Sequence, residues 1–190
     1  MKKDIVLAGV GGQGILSIAA TIGYSAVEMG LNLKQSEVHG MSQRGGEVQS
    51  HFRLSDKPIS SDLIPEGKAD LIISVEPMEG LRYLPMLSPD GWLITNTNPY
   101  KNISNYPDLD KVLDEIKKYP NSKMLNADKI AREIGSPKST NIVVLGAASP
   151  YLDIPMDVLE NSIRLIFRTK GDKIIDKNIE ALHKGRELAD

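Results

Sequence analysis

The sequence predicts an α/β fold: three layers, with a mostly parallel sheet flanked by helices and a helical C-terminal third. Three observations predict it. Asp4–Ala8 (DIVLA), Ala69–Val75 (ADLIISV) and Gly91–Thr95 (GWLIT) are short apolar runs rich in β-branched residues, the pattern of strands buried on both faces. Helical patterning separates them, and that alternation implies βαβ units. From Met156 onward the apolar residues recur only at helical spacing.

In chain order, the first strand runs into a glycine cluster, Gly9–Gly14, and then a helix from Ile15 that stops near Gly30. Leu31–Val38 and Glu47–Leu54 read as further strands, separated by a glycine-bearing loop, residues 39–46. After the strand at Ala69–Val75, a helix is expected over Pro77–Leu87, then a turn at Ser88-Pro89-Asp90 before the strand at Gly91–Thr95. Asn96–Asn105 is an Asn- and Pro-rich loop. Helical patterning resumes at Asp108–Lys118, with a late strand at Lys123–Ala127 and a short helix at Asp128–Ile134. Thr140–Ala148 suits a tightly packed helix. Met156, Leu159, Ile163, Ile166 and Phe167 mark another, and Ile175, Ile179 and Leu182 the last. With no repeat and no low-complexity tract, residues 1–190 read as a single domain.

The composition restricts the chemistry. A chain of 190 residues with 41% apolar and 25% charged residues resembles an ordinary soluble protein. A formal net charge of -2 gives no strong attraction to nucleic acid or an anionic membrane. There is no cysteine, which excludes thiolate nucleophiles and thiolate-held zinc or iron–sulfur centres on this chain. The N-terminus lacks a signal-peptide pattern and no window reaches the ~20 apolar residues of a bilayer span, so a cytoplasmic location is expected.

Gly9, Gly11 and Gly14 satisfy G-x-G-x-x-G between a strand and a helix, with Gly12 and Gln13 in the variable positions. Glycine permits a tight turn and a close backbone approach, and a helix N-terminus offers unpaired N–H groups to an anion. The fold is in this sense Rossmann-like. A dinucleotide site would also need an acid near the end of the second strand. Glu37 lies in that region, but the chain runs on into a second glycine loop. The plain alternative is a ligand-free turn.

That second loop, Ser36-Glu37-Val38-His39-Gly40-Met41-Ser42-Gln43-Arg44-Gly45-Gly46, places an arginine before two glycines. A guanidinium gives fork-like hydrogen bonding to phosphate or carboxylate, although a single solvated arginine on a surface loop is the simpler account. Together, GVGGQG at Gly9–Gly14 and SEVHGMSQRGGEV at Ser36–Val48 resemble the gamma-type domain of 2-oxoacid:ferredoxin oxidoreductases. Pyruvate-type members usually carry G-x-E-x-R-G-G in the second loop. Here Gly40–Gly46 reads GMSQRGG after Val38-His39, which is closer to the small subunit of indolepyruvate oxidoreductases.

The resemblance implies a subunit inactive on its own. A large partner would hold thiamine diphosphate and [4Fe-4S] clusters, and the assembly would convert an aryl-pyruvate and coenzyme A to acyl-CoA and carbon dioxide while reducing ferredoxin. The sequence has no G-D-G thiamine diphosphate motif; Gly171-Asp172 continues with Lys173. The resemblance links this domain to CoA binding and site closure. Gly9, Gly11, Gly12, Gln13 and Gly14 are the candidates to cradle a CoA phosphate, with Arg44, Gly45 and Gly46 completing the site and His39 a candidate acid–base. His51 in a strand and His183 near the end read as structural and solvated, respectively. Glu76 stands at a strand end, where ligands gather, but also where it could favour the next helix. Trp92 reads as packing. Two competing readings remain: an NAD(P)-binding oxidoreductase or regulator, and a non-catalytic docking module.

Overall fold

The computed structural model describes residues 1–40, 45–101 and 103–189, with His39 described by its backbone alone. The strands are β1 (Lys2–Val10), β2 (Asn32–His39), β3 (Glu47–Ser55), β4 (Ala69–Ser74), β5 (Leu87–Asn96) and β6 (Ser122–Leu125). The helices are α1 (Ile15–Glu28), α2 (Pro77–Arg82), α3 (Leu109–Lys117), α4 (Ala127–Glu133), α5 (Thr140–Ala148), α6 (Met156–Phe167) and α7 (Asp172–Glu187).

The strands form one sheet in the order β2-β3-β1-β4-β5-β6. Neighbouring strands run parallel from β1 through β4 and β5 to β6. Only β3 opposes the others, pairing antiparallel with both β1 and β2. The expected mostly parallel sheet is thus present, but β2 is not β1's neighbour. It is the outer arm of a hairpin whose inner arm, β3, lies against β1.

Alternation along β1 divides the core. Ile5 and Leu7 face a large cluster with α1, α4, α5, α6 and α7, while Val6 and Ala8 face a smaller one with α2 and α3. The connection through α1 moves outward from β1 on one face, and that through α2 moves from β4 to β5 on the other. Opposite directions on opposite faces keep one crossover hand. The order therefore reverses between β1 and β4, and in open α/β sheets the crevice beyond the strand ends at that point receives ligands.

Two expectations are corrected. The helix over Pro77–Leu87 is interrupted: α2 stops at Arg82, and a 3₁₀ turn, Leu84–Met86, follows. Pro85 lacks an N–H and its ring would clash with the carbonyl of Leu81. The turn at Ser88–Asp90 is instead part of β5. Ala69 faces Leu87 and Leu71 faces Trp92, so Ser88–Gly91 bulge out opposite Asp70 alone.

The helix α5 is buried along its whole length apart from Thr140. It crosses α7 at backbone contact: a Cβ on Gly146 would lie 2.0 Å from the Leu182 carbonyl oxygen, and one on Gly185 2.0 Å from that of Val143. Trp92 stacks on Tyr151, with ring centroids 4.5 Å apart, in its expected packing role. Among the described residues, no helix is long and apolar enough to cross a membrane.

Candidate functional site

The glycine turn follows β1 at the carboxyl edge of the sheet. Gly12 and Gly14 adopt φ of +100° and +82°, a region that side chains disfavour. Gln13 stitches the turn to its surroundings: its Oε1 accepts from the Val10 N–H at 2.8 Å and its Nε2 donates to the Val75 carbonyl at 3.4 Å. Asn141, from α5, donates through Nδ2 to the Gly14 carbonyl at 2.9 Å. It also occupies the space that a Cβ at Gly14 would need, 2.6 Å from Nδ2.

The two glycine loops meet through their backbones. The Gly11 N–H donates to the Gly46 carbonyl at 2.8 Å, and the Gly45 N–H donates to the Gly11 carbonyl at 3.2 Å. Gly45 has φ +79°. The hairpin thus brings Gly45 and Gly46 to the side of the glycine turn. Arg44 lies outside the described residues, as does the side chain of His39.

Individual glycines have different tasks. Gly9 lies inside β1, where a Cβ would strike Val75 Cγ2 at 2.4 Å and Ile15 Cδ1 at 2.9 Å, so it permits close packing of β1, β4 and α1. The N–H groups of Gly11 and Gln13 are engaged within the protein. Those of Gly12 and Gly14 have no hydrogen-bond partner among the described residues, and they sit at the positive end of α1.

Beside them opens a cavity of about 960 Å³, lined by the start of α1 (Gly12–Gly14, Ser17), the loop after β5 (Asn98–Tyr100), the segment 135–141 and the α6–α7 junction. Lys138 and Lys170 are exposed at its wall and form no ion pair among the described residues. Asp128 adds one carboxylate, held by Asn96 Nδ2 at 2.7 Å. Open N–H groups, serine and threonine hydroxyls and two lysines suit a phosphorylated ligand. Lys138, Lys170 and Asn141 escaped the sequence reading. The polar run Gly135-Ser136-Pro137-Lys138-Ser139-Thr140, directly before the apolar α5, was the available signal.

Glu76 is fully buried and serves the fold around this edge. One carboxylate oxygen accepts from the Glu79 N–H at 2.8 Å and caps α2; the other accepts from the Tyr100 N–H at 3.3 Å and the Tyr106 hydroxyl at 2.5 Å. Burial, with Glu76 as neighbour, pushes the Tyr106 hydroxyl well above its ordinary pKa, so it stays a donor. His51 is structural, its Nδ1 accepting from the Ile64 N–H at 2.9 Å. His183 pairs with Glu160 at 2.8 Å across α6 and α7.

The dinucleotide geometry is incomplete. Glu37 lies on β2, separated from β1 by the whole of β3, and its carboxylate accepts from Gln35 Nε2. Strands stand about 4.8 Å apart, so Glu37 is one strand too far out for the ribose-binding place of a Rossmann site.

The family model for pyruvate ferredoxin/flavodoxin oxidoreductases matches residues 4–188. The chain belongs to this family. Among its relatives, the indolepyruvate oxidoreductase subunit IorB of Archaeoglobus fulgidus is 39% identical over 198 residues, covering 100% of this chain and 96% of that one. The 2-oxoglutarate synthase subunit KorC of Methanocaldococcus jannaschii is 28% identical, covering 100% of this chain and 95% of that one. Among solved structures, the 2-oxoglutarate:ferredoxin oxidoreductase of Magnetococcus marinus, with 2-oxoglutarate, coenzyme A and succinyl-CoA bound, shares the fold with a TM-score of 0.79 at 23% identity. That alignment covers 99% of this chain and 31% of that one, so this chain spans about a third of that protein's length.

Proposed function

We propose that this chain is the small, cofactor-free subunit of an indolepyruvate (aryl-pyruvate):ferredoxin oxidoreductase. The observation that carries the reading is the end-to-end likeness to the indolepyruvate subunit at 39% identity, against 28% for the 2-oxoglutarate type. The assembly, placed in the cytoplasm, takes an aryl-pyruvate, CoA and oxidised ferredoxin to aryl-acyl-CoA, carbon dioxide and reduced ferredoxin, with two electrons leaving to ferredoxin. A large partner subunit supplies thiamine diphosphate and the iron–sulfur clusters; this chain has no cysteine with which to ligate a cluster.

The contribution of this chain is to bind and orient. Gly12 and Gly14 direct N–H groups toward a CoA phosphate at the start of α1, and Lys138 and Lys170 offset its charge. Gly9, Gly11, Gln13, Gly45 and Gly46 hold the turn in shape, and Arg44 pairs with a phosphate or the oxoacid carboxylate. Binding energy gathered away from the reacting carbon positions the thiol for acyl transfer.

The test is anaerobic ferredoxin or dye reduction by the co-purified partner, with indolepyruvate and CoA, with and without this chain. A requirement for both proteins supports the reading. A partner fully active alone, or NAD(H) stabilising the isolated chain, would favour the docking or dinucleotide reading.

A further inference from the structure

Glu47 is the first residue of β3, directly after Gly45-Gly46, and pairs with Val10, the last residue of β1 before the glycine turn. Its backbone carbonyl accepts from the Gly40 N–H at 3.0 Å and closes the root of the hairpin tip. Its side chain takes the opposite course from the clasp, onto the α2 face of the sheet, where it meets residues with no other business at the loops. The Tyr83 hydroxyl, just beyond α2, donates to Glu47 Oε1. Arg82 Nε lies 3.7 Å from Glu47 Oε2 and donates to the buried Glu79 at 3.0 Å. The helix α2 is itself capped by Glu76, whose other oxygen holds Tyr100 and Tyr106 of the loop after β5.

We propose that Glu47 is a positioning residue: through Tyr83 and Arg82 it anchors the start of β3 to α2 and so fixes the clasp of Gly45 and Gly46 on Gly11. This rests on the subunit reading above for its catalytic consequence, but not for its geometry. The Tyr83 ring is buried and packs in the smaller core cluster, so Tyr83→Phe removes the hydroxyl and leaves the packing. That variant deletes a hydrogen bond to a charged acceptor. Its loss at the root of the loop is expected to loosen the Gly11–Gly46 and Gly45–Gly11 bonds.

Two readouts test it on Tyr83→Phe, Glu47→Gln and the double variant. In the isolated full chain, NMR-detected exchange of the Gly11 and Gly45 amides should speed up about tenfold in each. In the assembled enzyme, the KM for CoA or oxoacid should rise severalfold with kcat nearly unchanged, and the double variant should be no worse than the single ones. Unchanged exchange overturns the anchor. Faster exchange with unchanged KM in an active complex makes it a purely structural contact and overturns the positioning role, as do additive effects. A wild-type complex whose turnover does not need this chain sinks the subunit reading instead and removes the catalytic consequence, while the exchange result still decides the anchor.

Discussion

On the α5–α7 face of the sheet, order comes from backbone touching backbone: Gly146 and Gly185 let two helices meet with no room for a methyl group. On the α2 face, order comes from carboxylates that each hold several donors. Glu76 gathers Glu79, Tyr100 and Tyr106; Asp4 gathers Nε and Nη2 of Arg53; Glu47 gathers Tyr83 and Arg82. The first face is specified by shape and tolerates no added volume. The second is specified by hydrogen bonding, and fails when a donor or acceptor is orphaned rather than when an atom is added. Its bonds fasten the loops at both ends of the sheet, including those that frame the candidate site.

Substitutions should separate the two. The largest effect is expected at the helix crossing, where Gly146→Ala or Gly185→Ala must push a carbonyl aside; a loss of about 3 kcal/mol or outright failure to fold is expected in urea denaturation. Glu76→Ala should follow, at about 2–3 kcal/mol, by uncapping α2 and orphaning Tyr106. Glu76→Gln, which keeps the shape and some acceptor capacity, should recover part of that loss. Equal losses for Ala and Gln would refute the hydrogen-bond account of this face.

Acid should then act on the α2 face first. Burial holds the His51 pKa below its ordinary value, so its contribution is complete above about pH 6.5 and is progressively lost as the pH falls below it. Asp4 is opposed by burial, but hydrogen bonds from Arg53 and Lys2 outweigh it and hold the carboxyl below its usual range. Its contribution persists to lower pH and is lost only as the pH falls through that depressed value. Burial raises Glu79 instead, so its contribution is present in acid and lost as the pH rises through the raised value. Denaturation midpoints followed from pH 7 downward should therefore begin to drop near 6.5, and His51→Asn should flatten that limb. The smallest effect, and of opposite sign, is expected at Gly23 in α1. A Cβ there meets only Phe52 Cζ at an ordinary 3.4 Å, and Gly23→Ala should gain up to about 1 kcal/mol from helix propensity.

The same contrast explains what could be read from the sequence. The shape-specified elements follow local periodicity: the expected helix at Thr140–Ala148 has the observed bounds of α5, and α1 and the strands agree to within a residue or two at most ends. The bulge in β5 was signalled by Ser88-Pro89-Asp90, read as a turn, whereas the helix expected over Pro77–Leu87 took no account of Pro85, which breaks it after Arg82. The carboxylate pairs were not legible, because Glu47 and Tyr83, or Glu76 and Tyr106, meet only once sheet register and face are set. The glycine motif was found, but its spacing does not distinguish Gly9, which packs, from Gly12 and Gly14, whose N–H groups have no partner among the described residues. Nor does a lysine's letter tell Lys138 or Lys170, at a cavity wall, from any solvated cation.

The antiparallel β3 has one last consequence, for how such a subunit can diversify. Because β2 and β3 are joined as a hairpin and not through a crossover, the connection between them can change in length and composition ahead of Gly45-Gly46 without moving any helix or altering the order of the parallel strands. The sheet acts as a fixed handle and the connection as an exchangeable bit, so chimeras that graft this segment from a relative with another oxoacid preference should fold on the parent scaffold.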